Sequence, residues 1–291
     1  MAAMLNLRGI LCDMTIPMVM GVMNVTPDSF FAASRIQDEE AIRKRADQIL
    51  EEGASIIDVG GYSTRPGAEP VSVDDEMHRL ACALGIIRKY HSEAIISVDT
   101  FRSEVARCSV RDYDVDIIND ISGGQLDDNM FQTVADLSVP YILTHSHGLP
   151  SLPAFTSSAV TPEDSDMLLA EVARYFATHL QTLNDLGVTD VILDPGFGFG
   201  KTLEQNYALM HRLPDLIRTF PDNAFLVGVS RKSMIYKLLG ITPDESLNGT
   251  TVLHTLALQA GVQILRVHDV RAAVEVVHIL QQTQSSIINH S

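Results

Sequence analysis

One pattern constrains the fold of this chain more than any other. Eight times along it, a short apolar run stops at polar residues. Val19-Met20-Gly21-Val22-Met23 ends at Asn24, and Ser55-Ile56-Ile57-Asp58-Val59 ends at Gly60-Gly61. Ala94-Ile95-Ile96-Ser97-Val98 ends at Asp99, and Asp116-Ile117-Ile118 ends at Asn119-Asp120. Tyr141-Ile142-Leu143 stops near His145, and Val191-Ile192-Leu193 at Asp194-Pro195-Gly196. Phe225-Leu226-Val227-Gly228-Val229 gives way to Ser230-Arg231-Lys232, and Val262-Gln263-Ile264-Leu265 to Arg266-Val267-His268-Asp269. Continuous apolar runs of this length are strands covered on both faces, as in parallel sheets.

The segments between the runs carry helical periodicity. Apolar residues fall on one face over 38–52, 74–90, 164–186, 247–260 and 270–282. Strand then helix, repeated eight times, implies parallel pairing through right-handed crossovers. Polar exits on every strand favour closure into a barrel over an open sheet. The expected fold is therefore a single-domain α/β chain, a (β/α)8 TIM barrel. A barrel of about 250 residues fits within the 291 present. Residues 1–16 are expected to form an N-terminal hairpin under the barrel, and 17–291 the barrel itself. All strand exits of such a barrel meet at one mouth, so Asn24, Arg65, Asp99, Asn119, His145, Asp194, Lys232, Arg266 and His268 converge there.

Composition narrows the function. The net charge of −16 leaves no basic stripe for nucleic acid and no attraction to an anionic membrane. Cys12, Cys82 and Cys108 stand far apart without metal-binding spacing and read as buried thiols in a reducing compartment. Asp13 interrupts the first apolar stretch, no basic segment precedes it, and no run nears the roughly 18 apolar residues of a membrane span. The expected location is cytoplasmic, and the expected partners are small molecules.

The richest local signal is Asp194-Pro195-Gly196-Phe197-Gly198-Phe199-Gly200-Lys201. Proline stops the strand, and the alternating glycines let a ligand approach the main chain. A carboxylate beside two rings suits a flat, hydrogen-bonding heterocycle next to an aromatic partner. The cations at strand exits, Arg65, Arg231, Lys232 and Arg266, are local positive charges in an acidic chain.

Taken together, these motifs resemble the dihydropteroate synthase family of pterin-binding enzymes. The likeness runs from Pro17 to Val277. It rests on Met23-Asn24-Val25-Thr26-Pro27-Asp28-Ser29-Phe30, Asp58-Val59-Gly60-Gly61, Ser63-Thr64-Arg65-Pro66-Gly67 and Ser97-Val98-Asp99-Thr100. Ile118-Asn119-Asp120, the Asp194 loop, Ser230-Arg231-Lys232-Ser233 and Arg266-Val267-His268-Asp269 complete it. The family joins 4-aminobenzoate to a dihydropterin methyl diphosphate and releases pyrophosphate. The resemblance implies that Asp99, Asn119, Asp194 and Lys232 bind the pterin, with Asp99, Lys232 and Arg65 catalytic. It implies that Asn24, Thr64, Arg266 and His268 hold the diphosphate, with Asn24 contacting Mg²⁺. It assigns 4-aminobenzoate to Thr64, Arg65, Phe199, Ser230 and Lys232, the carboxylate lying where a helix begins near Ser230. A homodimer is implied as well.

The chain departs from the family pattern in three places. Phe31-Ala32-Ala33-Ser34-Arg35 replaces Ser-Asp-Gly-Gly in the first loop, and Tyr62 stands where Glu is frequent. Thr144-His145-Ser146-His147-Gly148 replaces Met-His-Met-x-Gly, with His145 expected in the pocket wall. The rival readings are a zinc hydrolase using His145 and His147, a pterin-binding methyltransferase, and a non-catalytic pterin-binding protein.

Overall fold

The structure, a computed structural model, describes residues 3–25, 35–62, 71–146 and 161–288. Strands β1 (Met4–Leu7) and β2 (Ile10–Asp13) pair antiparallel. Eight parallel strands then close a barrel: β3 (Met18–Asn24), β4 (Ile56–Gly60), β5 (Ile95–Asp99), β6 (Ile117–Asp120), β7 (Tyr141–Thr144), β8 (Val191–Asp194), β9 (Ala224–Val227) and β10 (Ile264–Val267). Each pairs with its successor, and β10 pairs with β3. The fold expected from the eight apolar runs is the fold observed.

Helices follow the strands: α1 (Arg35–Glu51), α2 (Val73–Tyr90), α3 (Ser103–Tyr113), α4 (Met130–Leu137), α5 (Pro162–Asp185), α6 (Leu203–Thr219), α7 (Ser233–Leu239), α8 (Leu247–Ala260) and α9 (Val270–Ile288). Periodicity alone missed four of them. The helix α6 contains Pro214, a residue that normally ends helices, and α4 and α7 span only eight and seven residues. The fourth, α3, has 11 residues and no side-chain cap to announce its start. Where caps exist they set the boundary. Thr161 and Asp164 exchange hydrogen bonds at the start of α5, and Thr202 and Gln205 do so for α6.

Alternation along each strand sorts the interior. Ile57, Val59, Ile96, Val98, Ile118, Leu143, Leu193, Val227 and Leu265 face outward and belong to the large core between barrel and helices. Met20, Ile56, Ile117, Ile142, Ile192, Leu226 and Ile264 face inward and form a second, separate core. Two residues further along, the same inward positions turn polar: Asp58, Asn119, Thr144, Asp194 and Arg266. The barrel thus has an apolar floor and a polar upper layer.

The hairpin completes the floor. Leu5, Leu7 and Met14 are buried in the same core as the floor isoleucines. The Asn6 N–H donates to Asp190 Oδ1 at 2.8 Å, and Arg8 pairs with Asp116 at 3.3 Å. Both acids lie on loops at the N-terminal ends of strands, so the hairpin plugs the end opposite the mouth, as anticipated. Truncation of Leu7 to Ala should therefore lower unfolding free energy by about 2–4 kcal/mol. Urea denaturation would register this as a lower midpoint at constant slope. An unchanged midpoint would mean that the hairpin folds apart from the barrel.

Candidate active site

Strand register assembles the mouth. Asn24 pairs with Gly60, Gly60 with Asp99, and Asp99 with Asn119, so four neighbouring strands place these residues in one row. Gly60 contributes no side chain, which leaves space between Asn24 Oδ1 and the Asp99 side chain. On the far side Thr144 pairs with Asp194.

Arg266 ties the row together from beneath. Its Nε donates to Asp58 Oδ2 at 2.7 Å and its Nη2 to Asp99 Oδ2 at 2.6 Å. The Asn119 amide donates to both oxygens of Asp58 at 3.3 and 3.4 Å. Asp58 is fully buried, and a buried carboxylate persists only when paired and hydrogen-bonded. Burial opposes the Arg266 charge, but Asp58 and Asp99 more than restore it and raise its pKa. Burial also pushes Asp99 up to about 7; Arg266 opposes this, while Asp58, Glu76 and Asp120 add to it.

Opposite this cluster stands the Asp194 loop. Gly196, Gly198 and Gly200 all have positive φ, at 70°, 85° and 65°. A Cβ on Gly196 would collide with the His145 carbonyl oxygen, so glycine is needed there for space as well as for conformation. The Gly196 N–H donates to Asp194 Oδ1 at 2.8 Å. Burial raises the Asp194 pKa, against the pull of Lys232, this N–H, Lys201 and Arg266. Lys232 Nζ donates to the Phe197 carbonyl at 2.6 Å and lies 4.4 Å from the centre of the Phe199 ring, a cation–π distance. Burial draws Lys232 down to about 8, Asp194 opposing. Arg231, left-handed at φ 55°, pairs instead with Asp269 through two nitrogens. Adjacent basic residues are thereby sent to opposite sides of the turn.

Most of the expected residues converge. Asp99, Asn119, Asp194, Lys232, Arg266 and Asn24 line the mouth, and Phe199 lies half-buried beneath Lys232. Thr64, Arg65 and His147 lie outside the described residues, as do the variant first-loop residues Phe31 to Ser34.

Three readings change, and the first ring of the Asp194 loop resolves as core. Arg266 was expected to hold the diphosphate, but two of its nitrogens already hold carboxylates. Ser230 was expected at a helix start. The helix begins at Ser233 with Lys232 as its N-cap, and Ser230 Oγ instead accepts the His268 N–H at 3.1 Å. Phe197 is fully buried core, and only its carbonyl serves the site. The buried His145 ring packs edge-on against Tyr175 at 5.0 Å and near Phe176 at 6.4 Å. Those aromatics belong to α5, so the ring turns toward the helix layer, away from the pocket wall.

Sequence reasoning missed Asp58 and Lys201. Asp58 was the one charge inside an apolar run, and that interruption was its signal. Lys201 ended the glycine-rich string and was passed over.

No group of three metal-ligating His, Cys, Asp or Glu side chains occurs among the described residues. Asn24 offers a single neutral amide oxygen. That donor set fits a Mg²⁺ ion arriving with a diphosphate, whose oxygens would supply the remaining ligands.

Residues 20–268 match the family described as pterin binding enzyme. The chain belongs to the pterin-binding enzyme family. It is 38% identical to the dihydropteroate synthase of Escherichia coli K12 over 281 residues, covering 96% of each chain. Two solved structures superpose on it with a TM-score of 0.84. One is the Xanthomonas albilineans dihydropteroate synthase with 4-aminobenzoic acid, at 34% identity over 98% of this chain and 99% of that one. The other is a Coxiella burnetii dihydropteroate synthase in complex with pteroic acid, at 33% identity over 98% of this chain and all of that one. Within the family, the chain groups with the dihydropteroate synthases.

The Asp99 environment has a consequence for stability. In the native state its carboxyl holds a proton up to about pH 7, against an ordinary 3.8. At this group the folded chain therefore holds more proton than the unfolded one across that window, and the contribution of Asp99 to stability falls as pH rises through it. Asp99→Asn should reduce the stability lost between about pH 5 and about pH 7.5, read by chemical denaturation at each pH. An identical loss in the variant would show that Asp99 is ionised throughout.

Proposed function

We propose that the chain condenses a 7,8-dihydropterin-6-ylmethyl diphosphate with 4-aminobenzoate to give 7,8-dihydropteroate and pyrophosphate, a step of folate synthesis. The observation that carries the reading is the paired arrangement at the mouth. Asp194, with one oxygen capped by the Gly196 N–H, faces a cation–π pair of Lys232 and Phe199 across from the Asp58–Arg266–Asp99 cluster.

Each group has a task suited to its chemistry. The pterin's amino and ring N–H groups are donors, so the outer oxygen of Asp194 and the Asn119 amide receive them. Lys232 donates to the pterin's carbonyl side and borders the place of the incoming amine. As the C–O bond to diphosphate breaks, positive charge grows on the pterin, and Asp99 stabilises it when ionised. The aniline nitrogen then attacks the methylene carbon, and its proton passes to the departing pyrophosphate or to water. The amine is nucleophilic enough to need no strong base, and the path is SN1-like.

Arg266, through the nitrogen not engaged by Asp58 and Asp99, takes the diphosphate with His268, Asn24 and Thr64. When bound with the diphosphate at Asn24, Mg²⁺ would neutralise charge on the leaving group. Phe199 packs on the 4-aminobenzoate ring, Lys232 borders its amine end and Ser230 its carboxylate side, to which the resemblance adds Thr64 and Arg65. In this reading 17–291 is the catalytic barrel and 1–16 its N-terminal plug. The protein works in the cytoplasm as a homodimer. Support for self-association comes from the exposed Leu238, Leu239, Leu247, Val252 and Leu256 on α7 and α8. No described helix is long and apolar enough to cross a membrane.

Pyrophosphate release from the dihydropterin diphosphate with Mg²⁺ should depend on 4-aminobenzoate and yield dihydropteroate. Turnover indifferent to 4-aminobenzoate would refute the condensation. Asp194→Ala should abolish pterin binding in calorimetry, and retained affinity would remove Asp194 from the pterin site. Arg266→Ala, compared with Arg266→Lys to keep a counter-charge for Asp58, should weaken the diphosphate-bearing substrate far more than free pterin. Equal losses would refute its phosphate role.

A further inference from the structure

Lys201 is a buried cation to which the reaction above gives no task. Its Nζ donates to the Gly196 carbonyl at 2.8 Å, the His145 carbonyl at 3.1 Å and the Phe199 carbonyl at 3.5 Å. An ammonium has three N–H donors, and three main-chain carbonyls receive them. His145 follows β7 directly, while Gly196 and Phe199 belong to the loop after β8. One nitrogen therefore ties two adjacent strand exits together.

The surrounding packing makes that tie specific. The Gly196 α-carbon lies so close to the His145 carbonyl that no side chain fits between them. Asn206 of α6 closes the loop from the other side, accepting the Gly198 N–H at 2.6 Å and donating to the Lys201 carbonyl at 3.2 Å. The loop thus runs between two lysines. Lys232 holds its upper face through the Phe197 carbonyl and the Phe199 ring, and Lys201 holds its underside. Lys201 binds the carbonyl of the same Gly196 whose N–H caps Asp194, and both lysines favour the ionised form of that carboxylate. Burial pulls Lys201 itself down to about 7, with Asp194 opposing, Lys232 adding to the fall and Glu171 of α5 opposing.

We propose that Lys201 is a positioning residue for the pterin site, fixing the Asp194–Phe199 loop through three carbonyls and supplying a counter-charge behind the Asp194 carboxylate. The inference rests on the pterin-binding role of Asp194 proposed above. It assigns the two halves of the work to different properties of the side chain. The carbonyl clasp needs a nitrogen of ammonium size, whereas the counter-charge needs only a cation.

Two variants separate these properties. Lys201→Gln removes the charge and keeps an N–H donor. Lys201→Arg keeps the charge but cannot seat one nitrogen among three carbonyls. Both are compared with the unmodified protein for binding of a free dihydropterin, measured by calorimetry from about pH 5 to about pH 9, with thermal melts to establish folding. Read in an Asp99→Asn background, so that Asp99 does not titrate in the same window, Lys201→Gln should move the acid limb of pterin affinity up by about one pH unit, a tenfold change in the proton equilibrium of Asp194. In Lys201→Arg the acid limb should stay while affinity falls several-fold. A merely structural lysine would lower the melting temperature and leave the acid limb unmoved, and that result in folded Lys201→Gln overturns the counter-charge. Should Lys201→Gln fail to fold, Lys201→Arg decides alone: reduced affinity with an unmoved acid limb supports the clasp, and unchanged affinity overturns the proposal. An unmodified protein that binds no pterin would instead bring down the reading of Asp194, and the role of Lys201 with it.

Discussion

The arrangement of the whole mouth depends on one guanidinium. A closed barrel leaves its inward-facing side chains little water, so each charge placed there must be answered by another charge or by hydrogen bonds. Arg266 answers two, bridging Asp58 and Asp99 from strands β4 and β5 while standing on β10. Because β3 lies between β10 and β4 in the barrel, the bridge reaches across the interior. It fixes the Asp99 carboxylate relative to Asn24 and Asn119 in the same row. Across the mouth, Lys232 and Lys201 favour the ionised form of Asp194 electrostatically, while their nitrogens donate to main-chain carbonyls. Three acids and three bases thus share a region where no charge would be stable alone.

This mutual dependence shapes the chemistry proposed for the site. A pterin replaces water around Asp194 and Asn119 without disturbing the charge balance, since it brings donors and no net charge. A diphosphate brings negative charge to a place where Arg266 is already committed to two acids. The substrate proposed for the site would accordingly bring its own cation, with Asn24 offering a single amide oxygen to it. The raised pKa of Asp99 comes first from burial and then from the same competition, with several acids drawing on a limited supply of positive charge.

How much of this the sequence disclosed depended on whether the signal was local. Strand exits are local, and Asn24, Asp99, Asn119, Asp194, Lys232 and Arg266 were all visible as polar residues ending apolar runs. Pairing partners are not local. Arg266 and Asp58 are 208 positions apart, and nothing near Asp58 showed that its charge had an answer. Read from its own strand, it was an anomaly in an apolar run. The destination of a ring is equally non-local: His145 turned toward Tyr175 and Phe176 because α5 packs behind β7 and β8. Ser230 was misread for a smaller reason. The left-handed turn at Arg231 delays the helix by three residues, and sequence gives no warning of positive φ at an arginine.

The two-layer interior also means that each strand carries two sets of instructions interleaved at alternate positions. Ile56, Asp58 and Gly60 build the floor, the charge cluster and the opening, while Ile57 and Val59 hold the helices. Substitutions in one set leave the other readable. Loss or gain of a single residue within a strand exchanges the sets: a one-residue deletion in β4 would carry Asp58 into the helix layer and Val59 into the lumen. Length change is thus tolerated in the loops between strands and helices, and within a strand only replacement keeps both sets of instructions in place.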